Sequence, residues 1–395
     1  MRWRIARGHE LSIVSLAPCD DGGDAYLDEF GLTNVPTLQV TRQHESDGQL
    51  LHDVVETLVG GAREPAHITM TQAVRSKGMR QGLHEWVASK KVVAFVRRQN
   101  PDVLEAHWAT QAASMAMKVK HMLGVPFTVT MHGGDLYRAP SPSLPKIVLN
   151  GDAIFPVSQF LVDLLTKAKQ PEGLPTVPDN QFDRSKLRIR ANSIDEELIA
   201  DAPADQHDGV MLVGNVGRLA PEKCHADLID AFANVKDEFP IARLQIIGGG
   251  PLEDDLRNHI KQLGIEDRVE LTGAMPTAQV VPMVRKMNVY VQSADLEGFG
   301  LATLEAAGQG LPVIATRTGA HTDIIEPGTN GLLYDAHDVN ALTQHLRTLM
   351  NDADLRRQMG QANLQVTRER YASEVIWART ERWTQAIAAH EPMPQ

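Results

Sequence analysis

From Val210 to Asp335 six short runs rich in β-branched residues, VMLVGNVG, ARLQIIGGG, VELTG, VYVQS, PVIATR and GLLYD, are separated for the most part by amphipathic helical patterns. Strand and helix taken in turn leave few architectures, because parallel strands need a long crossover and that crossover is usually a helix. The pattern predicts an α/β fold with a parallel, doubly wound sheet. The first half repeats the theme less cleanly, with LSIVSLAP, TLQV, VLEAHW, FTVTMHG, AIFPVS and LRIRAN. A second domain of the same class follows. The stretches 170–183 and 195–208 are rich in turn-forming and acidic residues, which sets the boundary near 192–205. Beyond Tyr371, Ile376, Trp383 and Ile387 fall on one face of a predicted helix, as a core-packing stripe does.

The 395 residues suit two or three domains, each with its own core. Cys19 and Cys224 are too few and too scattered for a disulfide framework or a multi-cysteine metal site, so a reducing cytoplasm is expected. No apolar run is long enough to span a bilayer, and MRWRIARGHE lacks the apolar core of a secretory signal. The net charge of −11 argues against nucleic acid as a partner. That charge is uneven: residues 1–190 hold 22 Lys and Arg against 20 Asp and Glu, whereas the remainder holds 17 against 30, so the halves present different surfaces.

The segment VYVQSADLEGFGLATLEAAGQGLPVIAT parses as strand, loop, helix, strand, with Glu297 in the loop and Glu305 about two turns along the helix. Two glycines stand where the helix begins, leaving the N–H groups of Gly300 and Leu301 free to cradle phosphate. A rise of about 1.5 Å per residue separates the acids by on the order of 10 Å, near the span from a sugar to a ribose across a diphosphate. Either acid alone reads better as an ordinary helix-start or solvated carboxylate. Upstream, Arg218 and Lys223 follow a strand and a glycine turn, and two cations there suit a diphosphate. IIGGGP and TGAMP also end strands on glycine, where a base or phosphate can approach the backbone.

The ordered set GRLAPEK, GGGP, EGFGLATLE, GLPVIAT and GTNGLL resembles the C-terminal domain of family-4 retaining glycosyltransferases, and the likeness extends over nearly the whole chain. It implies the GT-B fold: two Rossmann-like domains facing a central cleft, with a C-terminal helix crossing back to the N-domain. The corresponding division is 1–195, 196–372 and 373–395. By the resemblance Glu297 contacts the transferred sugar, Glu305 binds the nucleotide ribose, and Arg218 and Lys223 hold the diphosphate. Phe299, Gly300, Leu301 and Gly249 lie in the same donor motifs. VLEAHWATQAASMAMKVKHMLGVPFTVTMHGGDLYR is similar to the family segment in which His132 faces the donor sugar and Asp135 shapes its loop, with Gly133 between them and His107 on the preceding strand.

Three places depart from the family pattern. Ser193 stands where glycine is usual, and GAHTD puts Ala320, His321 and Asp323 where a Gly-Gly pair and a Glu are common. The family also has a strand before the helix that ends in a sequence like RGHEL, which here begins at Arg7. That strand is expected to be missing from the start of the chain.

The resemblance implies transfer of a hexosyl unit from a UDP- or GDP-linked sugar, with retention, no enzyme nucleophile, no cofactor and no metal. Asp352 and Asp354 form a D-x-D, but NDADLRR reads as a helix start. The acceptor is expected to be a saccharide or lipid-linked saccharide. Residues 73–100 carry seven Lys or Arg against Glu85, interleaved with Trp86, Val87, Val92 and Phe95, which suits an anionic membrane face as well as an ordinary amphipathic helix. A nucleotide-sugar 2-epimerase and a non-catalytic nucleotide-sugar-binding protein are the competing readings.

Overall fold

The computed structural model describes residues 7–15, 35, 37–39, 79–137, 143–166, 183–204 and 209–394. In the N-terminal half β1 (Ile13–Ser15) pairs in parallel with β2 (Thr37–Gln39). Helix α1 (Met79–Gln99), β3 (Leu104–His107), α2 (Gln111–Leu123), β4 (Phe127–Met131), α3 (Gly133–Tyr137), α4 (Leu144–Asn150), β5 (Ala153–Pro156) and α5 (Gln159–Thr166) follow. Strands β3, β4 and β5 form a parallel sheet in that order, with Leu104 opposite Phe127 and Thr130 opposite Phe155.

The C-terminal half runs β6 (Leu212–Val216), α6 (His225–Val235), β7 (Arg243–Ile247), α7 (Glu253–Gln262), β8 (Val269–Leu271), α8 (Thr277–Val284), β9 (Val289–Gln292), α9 (Leu301–Gly308), β10 (Val313–Thr316), α10 (His321–Ile324), β11 (Gly331–Tyr334), α11 (Val339–Asn351) and α12 (Ala353–Val366). Its six strands are all parallel, in the order β8-β7-β6-β9-β10-β11. Every residue of β9 and β10 is buried, as expected for strands covered by helices on both faces. Central strand β6 carries Gly214 because a Cβ there would lie 2.0 Å from the Met287 sulfur. Asp352 accepts a hydrogen bond from the Leu355 N–H and starts α12, so the D-x-D is a helix cap.

A π-helical turn, Thr367–Tyr371, leads into the last helix, α13 (Ser373–Ala388). Ile376, Trp383 and Ile387 are all buried, and Trp383 and Ile387 pack on Ala153 and Phe155 of β5. The chain thus crosses between the halves twice, and the crossings touch: Ile194 bridges Ala372 in parallel, its N–H donating to the Tyr371 carbonyl while Ser373 N–H donates to its own. Ala200 N–H reaches the Gly308 carbonyl of α9, so by this residue the chain is already in contact with the C-terminal half.

The basic helix α1 uses its apolar stripe internally. Ala88, Val92, Val93 and Val96 pack on Met115 and Val119 of α2 and on Val14 and Leu38, and Val87 and Phe95 are also buried. The apolar side chains of this stripe are therefore core residues. Residues 73–78 and the side chain of Trp86 lie outside the described residues, as does the chain before Arg7, where the family's first strand is expected to be missing. Among the described residues no helix is long and apolar enough to cross a membrane.

Candidate active site

Numbered within its own sheet, the C-terminal strand order is 3-2-1-4-5-6, so the direction of winding reverses between β6 and β9. Loops leaving adjacent strand ends there diverge to opposite faces and open a crevice. The loop after β6 carries Arg218 and Lys223, and the loop after β9 carries Glu297. Two contacts fasten one loop to the other: Ser293 Oγ donates to the Lys223 carbonyl at 2.8 Å, and Asp295 N–H donates to the Glu222 carbonyl at 3.2 Å.

Lys223 Nζ lies 2.6 Å from Glu297 Oε2, with both side chains largely buried. Burial alone would push the Glu297 carboxyl up, but the Lys223 ammonium, helped by its hydrogen bond and by the Phe299 N–H, outweighs that and holds it below the usual carboxylate range. Glu305 is half-buried on α9, and burial raises its carboxyl. The fully buried Tyr290 hydroxyl donates to the Val216 carbonyl at 3.3 Å, and burial, with the charges of both acids, pushes it up. Arg218 is about half exposed and held by Glu222 at 2.7 Å, a contact that positions the guanidinium and adds little stability.

Gly300 stands at φ +89° before the first turn of α9, and its missing Cβ leaves room for His321, whose Cδ2 lies 3.0 Å from that position. His321 is wholly buried. Its Nδ1 is 3.1 Å from the Thr316 carbonyl, which can only accept, so Nδ1 carries the proton and Nε2 accepts from the Thr303 hydroxyl at 3.3 Å. Burial depresses the imidazole to about 4, leaving it neutral. His321 is thus a strut beneath the first turn of α9. Gly319, at φ +54°, lets the chain pass so close that a Cβ would lie 1.5 Å from the Glu297 carbonyl oxygen. In the glycine loop after β7, a Cβ on Gly248 or Gly250 would strike Gly217 or Leu219, and the Gly249 carbonyl accepts from Leu219 N–H. Those glycines hold the Arg218 loop in place by backbone contact.

In the N-terminal half His132 follows β4, and Asp135 turns back to accept from its N–H at 2.8 Å. Asp135 is 1% exposed, and burial lifts its carboxyl to about 6. His132 falls to about 4, through burial and then the nearby Arg190 guanidinium. Arg190 is itself buried, donating to Thr130 Oγ1 and lying 5.2 Å from the ring centres of both Phe155 and Trp377. The halves meet directly beside this loop. Ser158 Oγ donates to the Gly298 carbonyl at 2.9 Å, and Gln159 N–H donates to Asp323 Oδ2 at 2.8 Å. The Tyr371 hydroxyl donates to the Asp323 carbonyl at 2.8 Å.

Residues 4–178 match the family model described as Glycosyltransferase Family 4, and residues 200–366 match that described as Glycosyl transferases group 1. The chain belongs to the family-4 glycosyltransferases. Among curated relatives, this family-4 glycosyltransferase is 26% identical over 306 residues to N-acetyl-alpha-D-glucosaminyl L-malate synthase of Bacillus anthracis, covering 75% of this chain and 78% of that one. Among solved structures, a glycosyltransferase from Rickettsia africae superposes with a TM-score of 0.71 at 13% identity, over 98% of this chain and 92% of that one. HepE from Anabaena, solved in complex with UDP, gives 0.68 at 17% identity, over 94% and 98%. At those identities the structures establish the fold, which is GT-B.

In this glycosyltransferase Arg218, Lys223, Glu297, Phe299, Gly300, Leu301 and Glu305 gather at the switch point, while Gly133, His132 and Asp135 gather at the end of β4. Gly249 stands one loop away, engaged with Leu219. Sequence reading assigned no role to Arg190, to Ser158 or to the Thr303–His321–Thr316 network, because their partners are distant in the chain; burial of charged or polar types inside RIRAN, PVS and GAHTD was the available signal. Among the described residues one group brings metal-ligand atoms within 4.8 Å of one another: Cys224, Asp227 and His337. His337 is already engaged with Asp227 at 3.0 Å and Asp295 at 3.7 Å, and burial pushes the Cys224 thiol up to about 11, which keeps it protonated.

Proposed function

We propose that this family-4 glycosyltransferase is a retaining hexosyltransferase that takes its sugar from a nucleoside-diphosphate donor, with UDP the base to test first, and delivers it to a saccharide or lipid-linked saccharide acceptor. The observation that carries this reading is the Lys223–Glu297 pair at the switch point, flanked by Arg218 and the amide tip of α9. Each cation is held by an acid that it can exchange for phosphate oxygens. When the diphosphate takes Lys223, Glu297 is released to accept hydrogen bonds from sugar hydroxyls. Half-buried Glu305 then faces the ribose. UDP in the bound state of HepE supports the choice of base.

In the transfer step the bond from the anomeric carbon to the β-phosphate oxygen breaks as the acceptor hydroxyl attacks from the same face, its proton passing to the departing phosphate. Negative charge grows on that oxygen. Arg218, Lys223 and the α9 amides stabilise it, supplying the positive charge without a metal ion. His132 and the Asp135-braced turn close over the sugar from the other half and exclude water.

Incubation with UDP-glucose, UDP-galactose, UDP-N-acetylglucosamine and GDP-mannose, with NMR of the products, tests the reading. Slow release of free sugar of the donor's anomeric configuration, and glycoside formation of that configuration with acceptor, are expected. An inverted product would rule out retention, isomerised donor would indicate an epimerase, and binding without turnover would leave only a nucleotide-sugar-binding protein.

A further inference from the structure

Trp108 has no place in the donor site. Its backbone sits at φ +74°, a conformation that bulky side chains rarely adopt, and its N–H is fixed by the Thr130 carbonyl at 3.0 Å. The indole is 47% exposed, the sole aromatic among the large apolar side chains exposed in the described residues, so core packing does not account for it. Part of it is nevertheless held. The His132 ring lies 4.6 Å from it at 35°, and Gly134 leaves room for it, since a Cβ there would come within 3.1 Å of the indole Cζ3. The His107 ring continues the row, 6.3 Å from His132 at 24°.

The position of this plate follows from the sheet. The ends of β3, β4 and β5 stand side by side, and the β5 end is where Ser158 binds Gly298, next to Glu297. At about 4.8 Å between neighbouring strands, Trp108 stands roughly 10 Å along the row from that contact, with His132 between. That separation is the scale of one to two sugar rings. A pyranose has an apolar face of C–H bonds and a rim of hydroxyls. The negative face of an indole suits the former, and imidazoles beside it suit the latter. Burial keeps His132 neutral, able both to donate and to accept.

We infer that Trp108 is the platform on which a pyranose ring of the acceptor stacks, placing its hydroxyl towards the donor sugar beside His132. The inference rests on the glycosyltransferase reading and adds the acceptor subsite to it. Trp108→Gly is the informative variant, because glycine accepts the backbone conformation without strain. Saturation-transfer NMR is run with methyl β-glucopyranoside, methyl β-galactopyranoside and methyl α-mannopyranoside in the presence of UDP, alongside a thermal shift by UDP alone. At least one glycoside should receive saturation on its ring protons from the native protein. Trp108→Gly should lose that signal about tenfold while keeping the UDP shift, and Trp108→Phe should retain part of it. Equal saturation from Trp108→Gly and the native protein would overturn the inference, as would failure of all three glycosides with the native protein. Absence of the UDP shift in the native protein would instead count against the donor assignment, leaving the platform judged on saturation alone.

Discussion

Gly319 offers the sharpest perturbation of the site, because the backbone at this position lies directly against that of Glu297. A Cβ at position 319 would lie 1.5 Å from the Glu297 carbonyl oxygen, whereas real contacts of this kind do not fall below 3.0 Å. In Gly319→Ala one of the two loops must therefore move by about 1.5 Å, and a displacement near 1 Å in a catalytic constellation costs about 10²-fold in rate. Alanine at φ +54° adds backbone strain of about 1 to 2 kcal/mol, which lowers Tm by roughly 2 to 8 °C in a domain of this size. Gly328→Ala separates the two effects: Gly328 has φ +83°, and nothing lies within 4 Å of where an alanine methyl would stand, so it carries the strain without the collision. Transfer or donor hydrolysis should fall about a hundredfold or more in Gly319→Ala and stay near native in Gly328→Ala, with the loss of Tm in Gly328→Ala reporting the strain alone and that in Gly319→Ala exceeding it by the cost of the collision. Turnover of Gly319→Ala within about threefold of native would refute the argument that this loop fixes Glu297.

Three further outcomes follow from the site. Arg218→Ala should lower kcat by about 10² to 10³ in a steady-state assay, and unchanged turnover would remove it from the leaving-group site. In Lys223→Ala the Glu297 carboxyl loses the ammonium that holds it down, so the acidic limb of the kcat/KM profile should move to higher pH; an unmoved limb would show that the pair does not govern activity. His225 is 2% exposed, with its Nε2 at 3.0 Å from Asn215 Oδ1, and burial followed by the Lys223 charge depresses it to about 4. The unfolded chain takes up this proton below about pH 6.5 and the folded protein only near pH 4, so stability should rise by on the order of 3 kcal/mol as the pH is raised between those values. His132 and His321, depressed to about 4 as well, add to the rise, and Asp135, raised to about 6, opposes it. Denaturant titrations of His225→Gln beside the native protein should therefore show the change with pH reduced by about this one group's share.

The architecture and the donor motifs were legible because both are written locally. Strand and helix alternate along the chain, and the spacing of Glu297, Gly300 and Glu305 is set within one loop and one helix. What escaped is long-range. Asp323 stood out as a departure from the family pattern, but its partner, the Gln159 N–H, is 164 residues away, and no local spacing encodes that contact. His321 was flagged in the same loop, yet its function as a neutral strut depends on Thr303 and on burial, neither visible in GAHTD. The glycines of IIGGGP were read as places where a base or phosphate could approach the backbone, whereas in the structure Gly248 and Gly250 lie against the backbone of Gly217 and Leu219, a partner that the sequence could not name. In α1 the periodicity revealed an apolar stripe but not its cover, which is α2 and the first two strands. A helical repeat reports that a face is apolar; only the tertiary arrangement reports what lies against it.

The adjacency of the two crossings at Ile194 and Ala372 has a practical consequence for engineering. Because the chain leaves the first half and returns to it at neighbouring points, residues 196–371 behave topologically as a single insert with its ends side by side. Exchanging that insert between relatives asks for two splices at one place, and the helix that follows, anchored on Phe155 by Trp383, stays with the recipient. Chimaeras cut at this seam would show which half sets the choice of sugar and which that of acceptor.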